Sequence, residues 1–249
     1  MEIIQNYLTK NNCYLKGQTI KIKGIMVHST ACPGVKASNF LKSWDTAKPN
    51  GNSVCVHAFV DDTGIYQTLP WNYQGWHAGG NANNSYIGFE ICEPKNYADK
   101  EYFEKTKNTA KKLCVYLCQK FNLQPEAILT HCEGYKLKGK AFASNHADIY
   151  HWWQKYFNYT MDNFREEVKN ELERGKNKME FKTGLEALNY LVEKGRITDK
   201  EYWAKALDTT RNIEYLFMKW AQDVYLLDNL WYNISKINSN LSFSKMFVT

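Results

Sequence analysis

Tyr86-Ile87-Gly88-Phe89-Glu90-Ile91-Cys92 reads as a β-strand with two unlike faces. Side chains alternate along a strand, so Ile87, Phe89 and Ile91 share one face while Gly88 and Glu90 share the other. The apolar face belongs on a core. The other face sets a carboxylate beside a glycine, which leaves room above the backbone. Glu90 there faces either solvent or a cleft.

Working outward, strand and helix patterns alternate. Residues 20–28 (IKIKGIMVH) read as a strand. Residues 54–60 and 65–69 flank Asp61-Asp62-Thr63-Gly64, a hairpin signal. Ser38 is expected to cap a helix carrying Phe40, Leu41 and Trp44. The clearest helix spans 100–121, with Phe103, Thr106, Ala110, Leu113, Leu117 and Phe121 as its buried stripe and Asp99 as its cap. Residues 126–131 (EAILTH) read as a short strand ending in His131. A long loop then leads to a helix over 160–174, ended by Gly175. The predicted fold over 1–175 is α/β, a central mixed β-sheet flanked by helices.

After Gly175-Lys176-Asn177-Lys178 the pattern becomes wholly helical, so residues 180–249 are expected to form a small separate helical module. Its first helix carries Leu185, Leu188, Leu191 and Val192 and stops at Gly195. Thr198 and Glu201 form a capping box for the second, which buries Tyr202, Trp203 and Ala206. The third buries Ile213, Leu216, Phe217, Trp220 and Val224.

Composition narrows the function. The chain has 249 residues and a net charge of +6. That mild, dispersed excess suits an anionic polymer surface and is no nucleic-acid footprint. No run of about 18 uncharged apolar residues is present to span a bilayer, and the N-terminus lacks the basic-then-apolar pattern of a secretory signal. The seven cysteines form no CxxC pair. They read as reduced thiols of a cytosolic protein, with Cys114 and Cys118 in a helix core. The 17 Tyr and 8 Trp suit a carbohydrate-facing groove as well as a core.

The histidines concentrate at strand ends. His28 ends its strand before Ser29-Thr30, His131 ends EAILT, and His146 lies two residues before Asp148. His28, His131 and Asp148 together offer three N/O donors, the number a catalytic zinc takes from a protein while keeping a place for water. Glu90 suits the base that such a water needs. His57, in mid-strand, reads as a packed structural residue.

Six stretches carry a resemblance. They are Val27-His28-Ser29-Thr30, then Val56-His57-Ala58-Phe59-Val60 with Asp62-Thr63-Gly64-Ile65-Tyr66-Gln67, then Gly75-Trp76-His77-Ala78-Gly79. Tyr86-Ile87-Gly88-Phe89-Glu90, Leu129-Thr130-His131 and Asn145-His146-Ala147-Asp148 follow. In this order, over about residues 20–155, the chain resembles zinc-dependent N-acetylmuramoyl-L-alanine amidases of type 2. These share the peptidoglycan-recognition-protein fold, and the chain looks like a phage or prophage endolysin among them. The resemblance implies Zn²⁺ as cofactor, held by His28, His131 and Asp148. It implies Glu90 as catalytic acid and base. His146 stands where related enzymes often place an oxyanion-stabilising lysine, and remains, with His151, an alternative to Asp148 as third ligand. The family's third ligand is often a cysteine before Pro-Gly; Asp148 precedes Ile149-Tyr150, so the local backbone is expected to differ. Asn52, Trp76 and His77 are expected to line the groove for glycan and stem peptide.

The implied reaction is hydrolysis, by a zinc-activated water, of the amide between N-acetylmuramic acid and L-alanine, with lysis of the bacterial cell as outcome. The implied partner is peptidoglycan, not nucleic acid or membrane. The helical module would bind cell wall or form homo-oligomers. The protein would stay cytoplasmic until release at lysis. Two alternatives stand beside this reading. One is a peptidoglycan-binding module without catalysis. The other is a zinc peptidase cutting another stem-peptide bond.

Overall fold

The computed structural model describes residues 2–49, 51, 53–176, 181–209, 213–225 and 227–228. In chain order its elements are β1 (Ile3–Gln5), α1 (Asn12–Lys16), β2 (Gly24–Ser29), α2 (Ala37–Trp44), β3 (Ala58–Val60), β4 (Ile65–Gln67) and β5 (Tyr86–Ile91). There follow α3 (Lys100–Phe121), β6 (Ile128–Thr130), α4 (His131–Lys138), α5 (Trp153–Phe157), α6 (Met161–Lys176), α7 (Gly184–Glu193) and α8 (Lys200–Thr209). Residues 213–225 are also helical. The chain divides into two compact units, Met1–Leu172 and Glu173–Thr249.

The first unit is built on a six-stranded sheet in the order β1-β4-β3-β5-β2-β6. Only the β3–β4 hairpin is antiparallel, so the sheet is mixed and flanked by helices as the α/β reading expects. In the hairpin turn, the Asp61 carboxylate accepts from the backbone N–H groups of Thr63 and Gly64 at 2.8 and 3.2 Å. A short aspartate suits such a turn because its side chain reaches backbone donors two and three residues on.

One sheet face is a core. Ile25 and Val27 of β2 and Ile87, Phe89 and Ile91 of β5 are sealed under the α3 stripe of Phe103, Ala110, Leu113 and Leu117. Trp152, Trp153 and Phe164 close the same core. Helix α3 starts and stops by rule: Asp99 accepts from the Tyr102 N–H at 3.0 Å, and Asn122 ends it with a left-handed φ of 52°. Phe121, expected in the stripe, is only half-buried.

The other face is built around two glycines. A Cβ on Gly24 would lie 2.3 Å from the Tyr86 ring, and one on Gly88 would lie 2.4 Å from the His77 ring. The space expected beside Glu90 is therefore filled, by an imidazole rather than by solvent.

Several boundaries differ from the sequence reading. The first long strand begins at Gly24, because residues 20–23 are tied by single bonds to Asn72 and Ser85 rather than by a ladder. The segment before Ala58 is outside the strand for the same reason: its N–H groups go to Trp76 and Gly88 in turn. Ser38 lies inside α2, whose first turn is held instead by the Asp61 carboxylate accepting from the Ala37 N–H at 3.1 Å. His131 does not end a strand; it opens α4, behind a capping box of Thr130 and Glu133. Helix α6 runs on through Gly175 to Lys176, since a lone glycine costs a helix only about 1 kcal/mol.

In the second unit, Ala187, Leu188 and Leu191 of α7 pack with Ile197, Phe217, Ala221 and Val224. Thr183 caps α7 by accepting from the Glu186 N–H at 3.2 Å. The expected capping box on Thr198 is displaced by Asp199, whose carboxylate accepts from the Tyr202 N–H at 2.9 Å. Leu185, Tyr202, Leu216 and Trp220, expected inside, are exposed. Helices this short enclose a narrow core, which Trp203 and Phe217 already help fill, so a broad apolar stripe overflows onto the surface. Among the described residues no helix is long and apolar enough to cross a membrane.

The α4 cap makes a testable expectation. Thr130→Ala removes the acceptor for the Glu133 N–H and should cost about 1 kcal/mol, read as a lower urea midpoint with unchanged slope. An unchanged midpoint would mean the Glu133–Arg165 pairing alone holds that turn.

Candidate metal centre and cleft

The parallel register of β2 and β5 places His28 opposite Glu90, on the face away from the core. Phe59 of β3 flanks Glu90 on its other side. His131 arrives from the neighbouring strand end, as the first residue of α4. Asp148 arrives from the far side of the chain, at the start of a single 3₁₀ turn over Asp148–His151.

These three side chains converge. His28 Nδ1 and His131 Nδ1 are 3.1 Å apart, and Asp148 Oδ1 lies 3.2 Å from His131 Nδ1 and 3.7 Å from His28 Nδ1. Donors about 2.0–2.1 Å from a tetrahedral zinc are separated by about 3.3 Å, so the spacing fits such an ion. Among the described residues this is the one group of three or more His, Cys, Asp or Glu able to hold a metal. Asp148 Oδ2 accepts from the His131 backbone N–H at 2.7 Å, satisfying an otherwise orphaned donor at the start of α4. Burial alone would raise the Asp148 carboxyl. The hydrogen bonds and charges of His131 and His28 outweigh it and hold the group at about 2. Burial lowers His28, against the pull of Asp148, and keeps it a neutral donor.

The Asp148 backbone is unusual, with φ of 46°. Left-handed backbone is uncommon outside glycine, and aspartate tolerates it better than most. It is pinned from behind by His151, whose Nδ1 donates to the Asp148 carbonyl and whose Nε2 lies 2.9 Å from Glu93. His151 thus faces away from the cluster. Ile149-Tyr150, where the sequence departs from Pro-Gly, lies within this turn.

Glu93 is fully buried and sequence reasoning missed it. Its carboxylate accepts from Ser29 Oγ at 2.6 Å, the Ala31 N–H at 3.0 Å and Tyr97 O–H at 2.7 Å. Together with His151 it ties the end of β2 to the turn bearing Asp148. Its only signal is a charged residue shortly after a buried strand.

Glu90 is half-buried, but its Oε2 is sealed from water and has no hydrogen-bond partner among the described residues. Burial pushes its carboxyl well above the ordinary range, and the charges of Asp148 and Glu93 push the same way. An unpartnered buried oxygen is costly unless something else uses it.

These groups line a cleft of about 470 Å³. Trp76 and Trp44 form part of its walls, and His146 is exposed at its rim with its ring 4.8 Å from that of His131. His77 borders the cleft too, but both its nitrogens are engaged: Nδ1 with His28 Nε2 at 2.9 Å and Nε2 with the Tyr86 carbonyl at 3.1 Å. It keeps no free polar atom for a substrate. Asn52 lies outside the described residues. His57 is packed between backbone groups, its Nε2 donating to Tyr73 and its Nδ1 accepting from the Gly88 N–H, and burial lowers it to about 4. Cys132 turns toward Thr130, and Cys114 and Cys118 are in the α3 core.

Residues 18–151, more than half the chain, match the family model described as N-acetylmuramoyl-L-alanine amidase. The N-acetylmuramoyl-L-alanine amidase XlyA of Bacillus subtilis is 34% identical over 139 residues, covering 53% of this chain and 43% of XlyA. CwlH of the same organism, described likewise, is 33% identical over 133 residues, covering 52% and 51%. The chain thus spans about half the length of these curated relatives. Among solved structures, the catalytic domain of XlyA aligns with a TM-score of 0.50 at 28% identity, over 68% of this chain and 99% of that one. The PlyG catalytic domain aligns at 0.51 and 25% identity, over 69% and 96%. The matched span takes in His28, Glu90, His131 and Asp148, and with that the chain belongs to the N-acetylmuramoyl-L-alanine amidase family.

Proposed function

We propose that the chain hydrolyses the amide between N-acetylmuramic acid and the L-alanine of the peptidoglycan stem peptide, with His28, His131 and Asp148 holding a zinc ion, and that wall cleavage leads to lysis. The observation that carries this reading is the trio of donors 3.1–3.7 Å apart, at one side of a cleft that also holds the unpartnered Glu90 oxygen. Zinc, when bound, supplies Lewis-acid activation of water and of the scissile carbonyl.

The protein's own groups do the rest. Glu90, whose proton affinity burial raises, takes a proton from the attacking water as carboxylate and returns it to the departing L-alanine amine. His146 at the rim donates an N–H to the carbonyl oxygen as its charge develops. The half-buried Trp76 ring forms a wall on which a sugar or peptide face can lie. Asp148 holds both histidines in their mutual geometry.

The test digests purified cell walls with the full chain. New amino groups on L-alanine, without new reducing sugars, are expected; a chelator should abolish them and zinc restore them. Glu90→Gln should lower the rate by about 10²–10⁴-fold. New amines on another residue would move the scissile bond and make the chain a peptidase. Wall binding without new end groups would leave a recognition module.

The same variant has an expected effect on stability. Folding raises the Glu90 pKa above its ordinary 4.5, so the unfolded chain gives up this proton at lower pH than the folded one. Stability therefore falls as pH rises above about 4.5, and at neutral pH the folded state bears the cost of that raised pKa. Glu90→Gln removes that cost. In the metal-free protein at pH 7 it should melt higher than wild type, with the gap closing toward pH 4. A variant that melts lower at pH 7 would show Glu90 to be structurally stabilising.

A further inference from the structure

We propose that His77 is a positioning residue that fixes the tautomer of His28, and that Gly88 exists to seat it. This role rests on the metal-binding reading and adds a residue to it.

The placement of protons decides the tautomer. A backbone carbonyl only accepts, so the Tyr86 oxygen 3.1 Å from His77 Nε2 requires the proton on that nitrogen. The neutral ring then presents Nδ1 as an acceptor. His28 Nε2, 2.9 Å away, must donate to it. This leaves His28 Nδ1 with its lone pair free, and Nδ1 is the atom facing His131 and Asp148. Without an acceptor at that point, His28 could carry its proton on Nδ1 and present an N–H where a ligand lone pair is needed. Such outer partners orient metal-binding imidazoles and raise their basicity.

The ring is held for this purpose on several sides. A Cβ on Gly88 would stand 2.4 Å from His77 Cγ and 2.5 Å from Nδ1, so any other residue would expel the ring. A Cβ on Gly75 would approach within 3.2 Å of Cδ2. Asn83 Oδ1 accepts from the backbone N–H of both His77 and Ala78, at 3.0 and 2.7 Å. Simple packing would need none of this hydrogen-bond direction.

Three variants of the full chain separate a directional role from bulk. His77→Asn puts a carbonyl oxygen where Nδ1 stands and keeps the acceptor. His77→Gln reaches the Nε2 position and leaves His28 without one. His77→Phe fills the seat with no polar atom. Zinc affinity is read by competition with a chelating dye, and the His28 tautomer by long-range ¹H–¹⁵N NMR of the metal-free protein at pH 8. Gln and Phe are expected to weaken zinc by about 10–100-fold and to shift His28 away from the Nε2–H form, with Asn near wild type in both. Equal losses in all three folded variants, or no loss in any, would overturn the proposal. A wild-type chain that binds no zinc but keeps His28 in the Nε2–H form would bring down the metal-binding reading and leave the tautomer control standing. A His28 protonated on Nδ1 in the wild-type protein would overturn the control itself.

Discussion

Everything at the cleft depends on the register between β2 and β5. The two strands run parallel with His28 level with Glu90 and Val27 level with Phe89. Because side chains alternate, this single alignment sends the apolar set into the α3 core and the two chemical groups to the opposite face. A one-residue slip of either strand would turn its polar group toward the core and its apolar side chain, Val27 or Phe89, toward the cleft. The core therefore enforces the site: the free energy of sealing Ile25, Val27, Ile87, Phe89 and Ile91 also holds an imidazole beside a carboxyl. The remaining donors are then brought to a fixed place, His131 by the capped start of α4 and Asp148 by the turn that Glu93 and His151 anchor.

How far the sequence reaches follows from which interactions are local. Alternation in 86–92, the stripe and cap of α3 and the Asp-rich hairpin turn are all decided within a few residues, and each is legible in the residues themselves. The fold class and the donor set around His28, His131 and Asp148 are legible too, the latter through the order of several short stretches rather than any one of them. What stays hidden is set by distant partners. Ser38 looks like a cap, yet Asp61, across the hairpin, takes that duty. His131 looks like a strand end because EAILT is apolar, but Thr130 and Glu133 cap the helix that begins there. Glu93 and the left-handed Asp148 have no local signature, since both are defined by contacts between segments far apart in the chain.

The two glycines of the polar face show how an apparently missing side chain can be informative. Gly24 admits the Tyr86 ring, and Gly88 admits His77. In both places an empty position in one strand is a socket for a ring from elsewhere. Along the chain, Gly88 promises open space. In three dimensions, it belongs to a chain of contacts from the Tyr86 carbonyl through two imidazoles to the donor cluster. His77, which along the sequence looks like a substrate contact, is occupied by that chain.

The left-handed backbone at Asp148 has an evolutionary consequence. Few residue types tolerate it, and the tight turn behind it leaves little freedom to adjust. Exchange of the carboxylate for a bulkier or branched donor would have to be accompanied by changes in His151 or Glu93, so ligand identity and scaffold must drift together. The easiest single step is to asparagine, which keeps the backbone and nearly the shape while losing the charge. A chain with that change would retain the cleft and its aromatic walls, with an amide oxygen in place of a charged donor beside His28 and His131. The position thus constrains the charge of the donor less tightly than its backbone.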